Sequence, residues 1–159
     1  MQFHIVVPRF AVDRKKGPVP FAMPEASGRE AAYLQTRVLI IEDEMMIAWM
    51  LESFLSEAGF TDIVMAADGE EARRAAIELA PGLVISDLNL GAGTNGLEAS
   101  AAICQPKAIP VLFVTAYADE VTRELIAAQF PRAELLRKPV DSGALLGAVR
   151  RALQPTSHH

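Results

Sequence analysis

The sequence has one cysteine, no long apolar run and no surplus of positive charge. The single thiol, Cys104, excludes an intrachain disulfide and suits a reducing compartment. No apolar run approaches the roughly 18 residues of a membrane helix, and Pro8 and Arg9 interrupt the continuous stretch that a signal peptide needs. The formal net charge of -5 argues against nucleic acid as the main partner, because a phosphate backbone is bound by clustered basic side chains. We therefore expect a cytoplasmic protein that binds neither nucleic acid nor a membrane.

The start of the chain differs from the rest in composition. Four prolines surround a short basic run there, which makes a poor helix or central strand. We predict an N-terminal extension over 1–35, partly flexible, a single folded domain over 36–154 and a tail over 155–159. The sequence leaves open what the extension does and whether His158 and His159 are native.

Five short apolar runs rich in branched residues alternate with helical patterns from residue 37 onward. Continuous runs of this kind are typical of parallel strands that are covered on both faces. Gly59 and the Pro81-Gly82 pair should end the first two helices, and Asp141 should cap the last. The alternation predicts an open α/β sheet with right-handed crossovers and a ligand site at the carboxyl ends of its strands. The predicted strands cover 38–41, 63–65, 83–85, 111–114 and 134–136, and the predicted helices lie near 45–58, 69–80, 95–104, 119–129 and 141–153.

Chemically matched side chains stand at the ends of four predicted strands, namely Glu42 and Asp43, Asp87, Thr115, and Lys138. Taken singly, each would be an ordinary loop or capping residue. Together they should converge, and two carboxylates about 4 Å apart repel by about 4 kcal/mol at an effective dielectric constant of about 20. Oxygen ligands with room for water suit Mg2+, and a carboxylate beside Mg2+ and an ammonium group is a natural phosphoryl acceptor. We expect Thr115 and Lys138 to be solvent-accessible at this edge.

Residues 37–153 resemble the receiver domains of two-component response regulators. The resemblance implies a doubly wound, flavodoxin-like sheet of five parallel strands in the order 2-1-3-4-5, with helices on both faces. The matching segments are VLIIEDE at 38–44, VISDLNL at 84–90, NGLE at 95–98, VTA at 114–116 and KP at 138–139.

The resemblance also implies the chemistry of the site. Asp87 would take a phosphoryl group from a phosphohistidine of a sensor histidine kinase. The metal ligands from the protein would be Asp43, Asp87 and the backbone carbonyl of Asn89, with Glu42 acting through a water molecule. The implied cofactor is therefore Mg2+.

The resemblance assigns further roles at the ends of the last two strands. Lys138 would contact the phosphoryl oxygens, Thr115 would move to bond one of them, and the bond before Pro139 would be cis. Most receivers have an aromatic residue two or three positions before the lysine, where this chain has Leu135 and Leu136. The usual aromatic relay is therefore missing.

The segment 113–117, Phe-Val-Thr-Ala-Tyr, resembles the Phe-Ala-Thr-Gly-Tyr signature of a receiver subgroup common in alphaproteobacteria, which also lacks that relay. Two roles are open for Tyr117. Its side chain reorients on phosphorylation and carries the change to the helix near 119–129, or it shields the acyl phosphate from water. The loop at 91–94, Gly-Ala-Gly-Thr, stands where a Met-Pro pair is usual and should make this edge more flexible.

The first predicted helix has two apolar stripes. One of them, Met46, Trp49 and Met50, points away from the sheet and suggests a binding surface for the kinase. The alternative is a broad core face that the N-terminal extension covers. The other stripe should face the sheet and consists of Ile47, Leu51, Phe54, Leu55 and Ala58.

We therefore predict a single-domain response regulator that signals by contact with an unknown downstream protein or drains phosphate from a kinase. A homodimer is left open, and the protein is not an enzyme beyond its part in its own phosphorylation and dephosphorylation. Three alternatives are a Mg2+-dependent aspartyl-phosphate phosphatase, a flavin carrier and a degenerate receiver that only binds partners. Asn89 stands where such a phosphatase has a general acid, and the acidic residues at 42–44 would repel a flavin phosphate. The intact acidic, threonine and lysine set argues against degeneracy.

Overall fold

The computed structural model describes residues 28–91 and 95–155. All ten predicted elements are present, and their ends differ from prediction by no more than one residue. None of the described helices is long and apolar enough to cross a membrane. Residues 1–27 of the predicted extension, together with His158 and His159, lie outside the described residues. The strands are β1 Val38–Ile41, β2 Ile63–Ala66, β3 Leu83–Ser86, β4 Val111–Thr115 and β5 Glu134–Arg137; the helices are α1 Gly28–Leu34, α2 Met45–Ala58, α3 Gly69–Leu79, α4 Gly96–Cys104, α5 Glu120–Gln129 and α6 Ser142–Ala152, with a 3-10 helix at Gln105–Lys107.

The five strands form one parallel sheet in the order β2-β1-β3-β4-β5, which confirms the predicted fold. In its register, Ile41 at the end of β1 lies beside Ala66 of β2 and Ser86 of β3. At the end of β4, Thr115 lies beside Arg137 of β5. The winding direction reverses between β1 and β3, where open sheets of this kind form a crevice at the carboxyl ends.

Alternate strand residues enter two apolar cores, one on each face of the sheet. Val38 and Ile40 pack on one face with residues of α2 and α6. Leu39 and Ile41 pack on the other face with residues of α3, α4 and α5. Strands β1, β3 and β4 are buried along their whole length, which explains why they are continuous apolar runs in the sequence.

The helix ends largely follow the predicted signals. Gly59 ends α2 in a left-handed conformation, with φ of +107°, that glycine adopts without strain. Asp141 caps α6, because its side chain accepts a hydrogen bond from the Ala144 N–H at 2.8 Å. The left-handed cap of α3 is Ala80 rather than a glycine, so Pro81 and Gly82 follow the cap instead of forming it.

Helix α1 was not predicted, and the expectation that this segment is a poor helix former is wrong for residues 28–34. The ring of Tyr33 meets Phe60 edge-on at 5.0 Å, and the guanidinium of Arg150 lies 5.1 Å from the centre of the Tyr33 ring. A helix of seven residues is unstable alone and depends on such tertiary contacts, which a local sequence pattern does not show.

Candidate functional site

Three carboxylates meet at the carboxyl edge of the sheet. Glu42 and Asp43 follow β1, Asp87 follows β3, and one oxygen of each lies within 4.8 Å of the others. Glu42 and Asp87 are buried, whereas Asp43 is exposed. The convergence predicted from the strand ends is therefore present in the structure.

The ammonium group of Lys138 bridges two of these carboxylates. Its Nζ lies 2.8 Å from Asp87 Oδ2 and 2.7 Å from Glu42 Oε2, and its side chain is 12% exposed. Lys138 follows β5, and the peptide bond to Pro139 is cis, as the resemblance implied. Among the described residues, Lys138 is the one ammonium group paired with this cluster of three carboxylates, so the cluster keeps excess negative charge.

Burial and charge both act on the ionisation of this site. Burial raises the pKa of Glu42 above its usual value, and the charge of Asp87 adds to that effect, while hydrogen bonds from Lys138 and the Glu44 N–H oppose it. Burial alone would lower the pKa of Lys138, but hydrogen bonds and charges from Asp87 and Glu42 outweigh burial and raise it. Lys138 therefore stays protonated between the two carboxylates.

The main chain and side chain of Asp87 make contacts that the sequence did not predict. The Asn89 N–H donates to Asp87 Oδ1 at 3.1 Å, and the buried Ser86 hydroxyl donates to the Asp87 carbonyl at 2.8 Å. A Cβ on Gly96 would lie 1.7 Å from the Asp87 carbonyl oxygen, so this position requires glycine. Gly96 belongs to the NGLE segment that resembles receiver domains. Its contact with Asp87 depends on the path of the loop between them, which the spacing of residues does not predict.

Backbone N–H groups also hold the two carboxylates that follow β1. Glu42 Oε1 accepts a hydrogen bond from the Glu44 N–H at 3.0 Å. Asp43 Oδ2 accepts one from the Gly91 N–H, in the loop after β3, at 2.9 Å. Both carboxylates are therefore oriented by main-chain donors.

Thr115 is buried, at 2% exposure, so the prediction that it is solvent-accessible is wrong. Its hydroxyl donates to the Tyr117 carbonyl at 3.1 Å. Thr115 is the last residue of β4, a strand that is buried along its whole length and has β3 and β5 on either side. The Tyr117 side chain itself is 70% exposed.

An apolar cavity of about 530 Å3 lies beside Thr115 and Tyr117. It is lined by residues of α5 and β5, including Ile126, Leu135 and Leu136. The two leucines that replace the usual aromatic relay therefore border open space next to the site.

The outward stripe on α2 is partly as predicted. Met46 and Trp49 are 75% and 48% exposed. Met50 is half-buried and packs against the core, so its assignment to the outward stripe is wrong. Its position one turn before Phe54, another half-buried residue of that core, explains the difference. Met45, which is also exposed, extends the exposed surface instead.

The donor set suits Mg2+. All three acidic ligands offer oxygen atoms, as a hard divalent cation prefers, and a second positive charge would offset their mutual repulsion. The exposure of Asp43 leaves one side of the cluster open to water, which Mg2+ usually retains. The residues present therefore fit this ion.

Comparison with known proteins places these features in one family. The family described as response regulator receiver domain matches residues 38–150. The phyllosphere-induced regulator PhyR of Methylorubrum extorquens is 35% identical over 131 residues, which cover 81% of this chain and 48% of PhyR. The DNA-binding response regulator MtrA of Mycolicibacterium paratuberculosis is 30% identical over 76% of this chain and 52% of its own length. This chain thus spans about half the length of the curated relatives it matches.

Solved structures resemble the same region. The receiver domain of Erythrobacter litoralis PhyR has a TM-score of 0.63 and 33% identity, covering 78% of this chain and 97% of that domain. The chemotaxis protein CheY4 of Vibrio cholerae has a TM-score of 0.68 and 29% identity, covering 75% of this chain and 99% of CheY4.

Proposed function

This chain belongs to the response regulator receiver domain family, and from that premise we propose that Asp87 accepts a phosphoryl group from a sensor histidine kinase in a Mg2+-dependent reaction. Receiver domains are signalling modules rather than classical enzymes. One observation carries the proposal: the buried Asp87 carboxylate lies 2.8 Å from the Lys138 ammonium group, in a cluster with two further carboxylates. A nucleophilic carboxylate with cationic groups beside it is what phosphoryl transfer requires.

In the proposed transfer, an oxygen of Asp87 attacks the phosphorus of a phosphohistidine. The phosphorus–nitrogen bond breaks, its electron pair stays with the imidazole, and a new phosphorus–oxygen bond forms at Asp87. Lys138 turns from the carboxylates to the incoming phosphoryl oxygens, which carry the charge that it then balances. A bound Mg2+ would supply further neutralisation of the same oxygens.

The surroundings of the carboxylates support distinct metal roles for them. Both Glu42 oxygens already face a partner, Oε1 the Glu44 N–H and Oε2 the Lys138 ammonium group. We therefore assign Glu42 an indirect role through water. Asp43 is exposed and would hold the metal directly, together with Asp87 and, as the resemblance to receiver domains implies, the backbone carbonyl of Asn89.

Thr115 and Tyr117 form the proposed switch. In the unphosphorylated site the Thr115 hydroxyl is bonded to the Tyr117 carbonyl. When that hydroxyl turns to a phosphoryl oxygen, the Tyr117 main chain is released beside the cavity next to α5. The Tyr117 ring then repacks and moves α5; in the alternative role it only shields the acyl phosphate from water.

Exposed apolar surfaces support signalling by protein contact. The kinase would dock on α2 at Met46 and Trp49. The downstream protein would read the region of Tyr117 and α5, where Val121 and Leu125 are also exposed. Alternatively, the region of Tyr117 and α5 forms a homodimer. A protein that only drains phosphate from the kinase would need the kinase-binding surface on α2 and no second surface. We propose the cytoplasm as the location, in keeping with the buried free thiol of Cys104.

Modification by acetyl phosphate or beryllofluoride tests the acceptor and the metal together. Wild type should be modified with Mg2+ and not with EDTA. Asp87→Asn should abolish modification and Asp43→Ala should reduce it severely, because the first loses the nucleophile and the second a metal ligand. Asp62→Asn removes an exposed acid away from the cluster and should behave as wild type. Equal modification of Asp87→Asn and wild type would refute the assignment.

A further inference from the structure

A hydrogen bond joins the two loops that carry the carboxylates. The Gly91 N–H, in the loop after β3, donates to Asp43 Oδ2, after β1, at 2.9 Å, across 48 positions of sequence. Among residues 28–91 and 95–155, no other hydrogen bond or ion pair engages the Asp43 side chain. The orientation of this carboxylate therefore depends on one backbone amide.

A side chain at position 91 would collide with the Asp43 carboxylate that the Gly91 N–H binds. A Cβ built there would lie 2.9 Å from the same Oδ2 of Asp43, closer than real Cβ contacts allow. Gly91 does not have the positive φ that favours glycine, so its backbone conformation would accept other residues. The absence of a side chain at this position thus serves the approach of Asp43 to the amide, whereas proline there would have no N–H to donate.

We infer that Gly91 is a positioning residue for Asp43, which fixes this carboxylate toward the other two before a metal binds. The inference rests on the proposed role of Asp43 as a Mg2+ ligand. Asp43 is exposed and is repelled by Glu42 and Asp87, so without the amide it would turn toward solvent. The Gly91 N–H takes Oδ2, so Oδ1 is left for a metal ion. The Asp43 side chain then loses less conformational freedom when the metal binds.

Mg2+ affinity of the unphosphorylated protein tests this inference by calorimetry. Gly91→Pro removes the donor, and Gly91→Ala keeps it but pushes Oδ2 away. Both variants should bind Mg2+ about three- to tenfold more weakly, a loss that lies within the range of the net contribution of one typical hydrogen bond. Gly28→Pro is the matched control, because it lies at the first residue of α1 with nothing within 4 Å of its Cβ. Affinity equal to wild type would overturn the inference, and so would tighter binding, since the amide would then be competing with the metal.

Amide hydrogen exchange at Gly91 in the metal-free protein gives a second test that does not depend on the folding of a Gly91 variant. Exchange should be several-fold faster in Asp43→Ala than in wild type, because the N–H loses its acceptor. An equal rate would overturn the inference. If wild type itself fails to bind Mg2+, the proposed function fails, while the exchange rates still report on the hydrogen bond. If wild type binds and the Gly91 variants bind equally well, only the positioning role fails.

Discussion

Lys138→Met should destabilise the unphosphorylated protein, because Lys138 offsets the repulsion between two carboxylates. Its Nζ lies 2.7 Å from Glu42 Oε2 and 2.8 Å from Asp87 Oδ2. Methionine keeps much of the length and packing of the side chain but removes the charge. Glu42 and Asp87 would then face each other, both buried, without a cation between them.

The magnitude follows from the contacts and their burial. At an effective dielectric constant of about 20, each contact attracts by about 6 kcal/mol before the cost of desolvation. Breaking a fully buried pair by removing one partner costs about 3–5 kcal/mol. The Lys138 side chain is 12% exposed, so water can enter and reduce this cost. We expect a loss of about 2 kcal/mol in the free energy of unfolding near neutral pH without Mg2+.

The loss should also depend on pH. Burial already raises the pKa of Glu42, and removal of the ammonium group would raise it further. A carboxyl group whose pKa is higher in the folded state binds more protons when folded, so the stability of the variant rises as the pH falls through that pKa. The difference from wild type should therefore narrow between about pH 7.5 and about pH 5.

Urea denaturation in EDTA measures these free energies, with Lys107→Met as the control at an exposed lysine. Excess Mg2+ should restore part of the stability of Lys138→Met, because the metal supplies the missing positive charge. An unchanged free energy of unfolding, or a deficit of equal size at both pH values, would refute the reasoning.

Three further outcomes follow from single contacts. Gly96→Ala should lower the free energy of unfolding by more than about 3 kcal/mol in chemical denaturation, because its Cβ would meet the Asp87 carbonyl at 1.7 Å; Gly147→Ala in α6 should not. Thr115→Val should cost about 1 kcal/mol by the same method and still allow phosphorylation, but lose the phosphorylation-dependent change in partner binding. Burial raises the pKa of Cys104 to about 12, so iodoacetamide near pH 8 should label it only after unfolding, and rapid labelling of the folded protein would contradict this.

The sequence was sufficient for most of the site because position along the chain decides which residues follow a strand, whereas the strand order came from the resemblance to receiver domains. A residue that follows a buried parallel strand lies at the carboxyl edge, whatever packs around it. The sequence alone therefore predicted that Glu42, Asp87 and Lys138 lie together, as they do in the structure. Local capping preferences of glycine and aspartate identified the helix ends at Gly59 and Asp141.

Other features depend on packing and were out of reach of the pattern. Thr115 is buried at the end of β4, which lies between two neighbouring strands, and Met50 is half-buried because the core beneath α2 is wide enough to include it. The close approach of Gly91 to Asp43 and of Gly96 to Asp87 depends on how the loops run, and loops have no periodic sequence pattern. Helix α1 is too short for a periodic signal.

The central claim is that Asp87 receives the phosphoryl group and that this transfer requires Mg2+ at the carboxylate cluster. Its most direct test is to treat the protein with acetyl phosphate, reduce any acyl phosphate with borohydride and map the product by tandem mass spectrometry. We expect homoserine at position 87, formed with Mg2+ and absent with EDTA. Reduction at another carboxylate, or an equal yield at position 87 in EDTA, would contradict it.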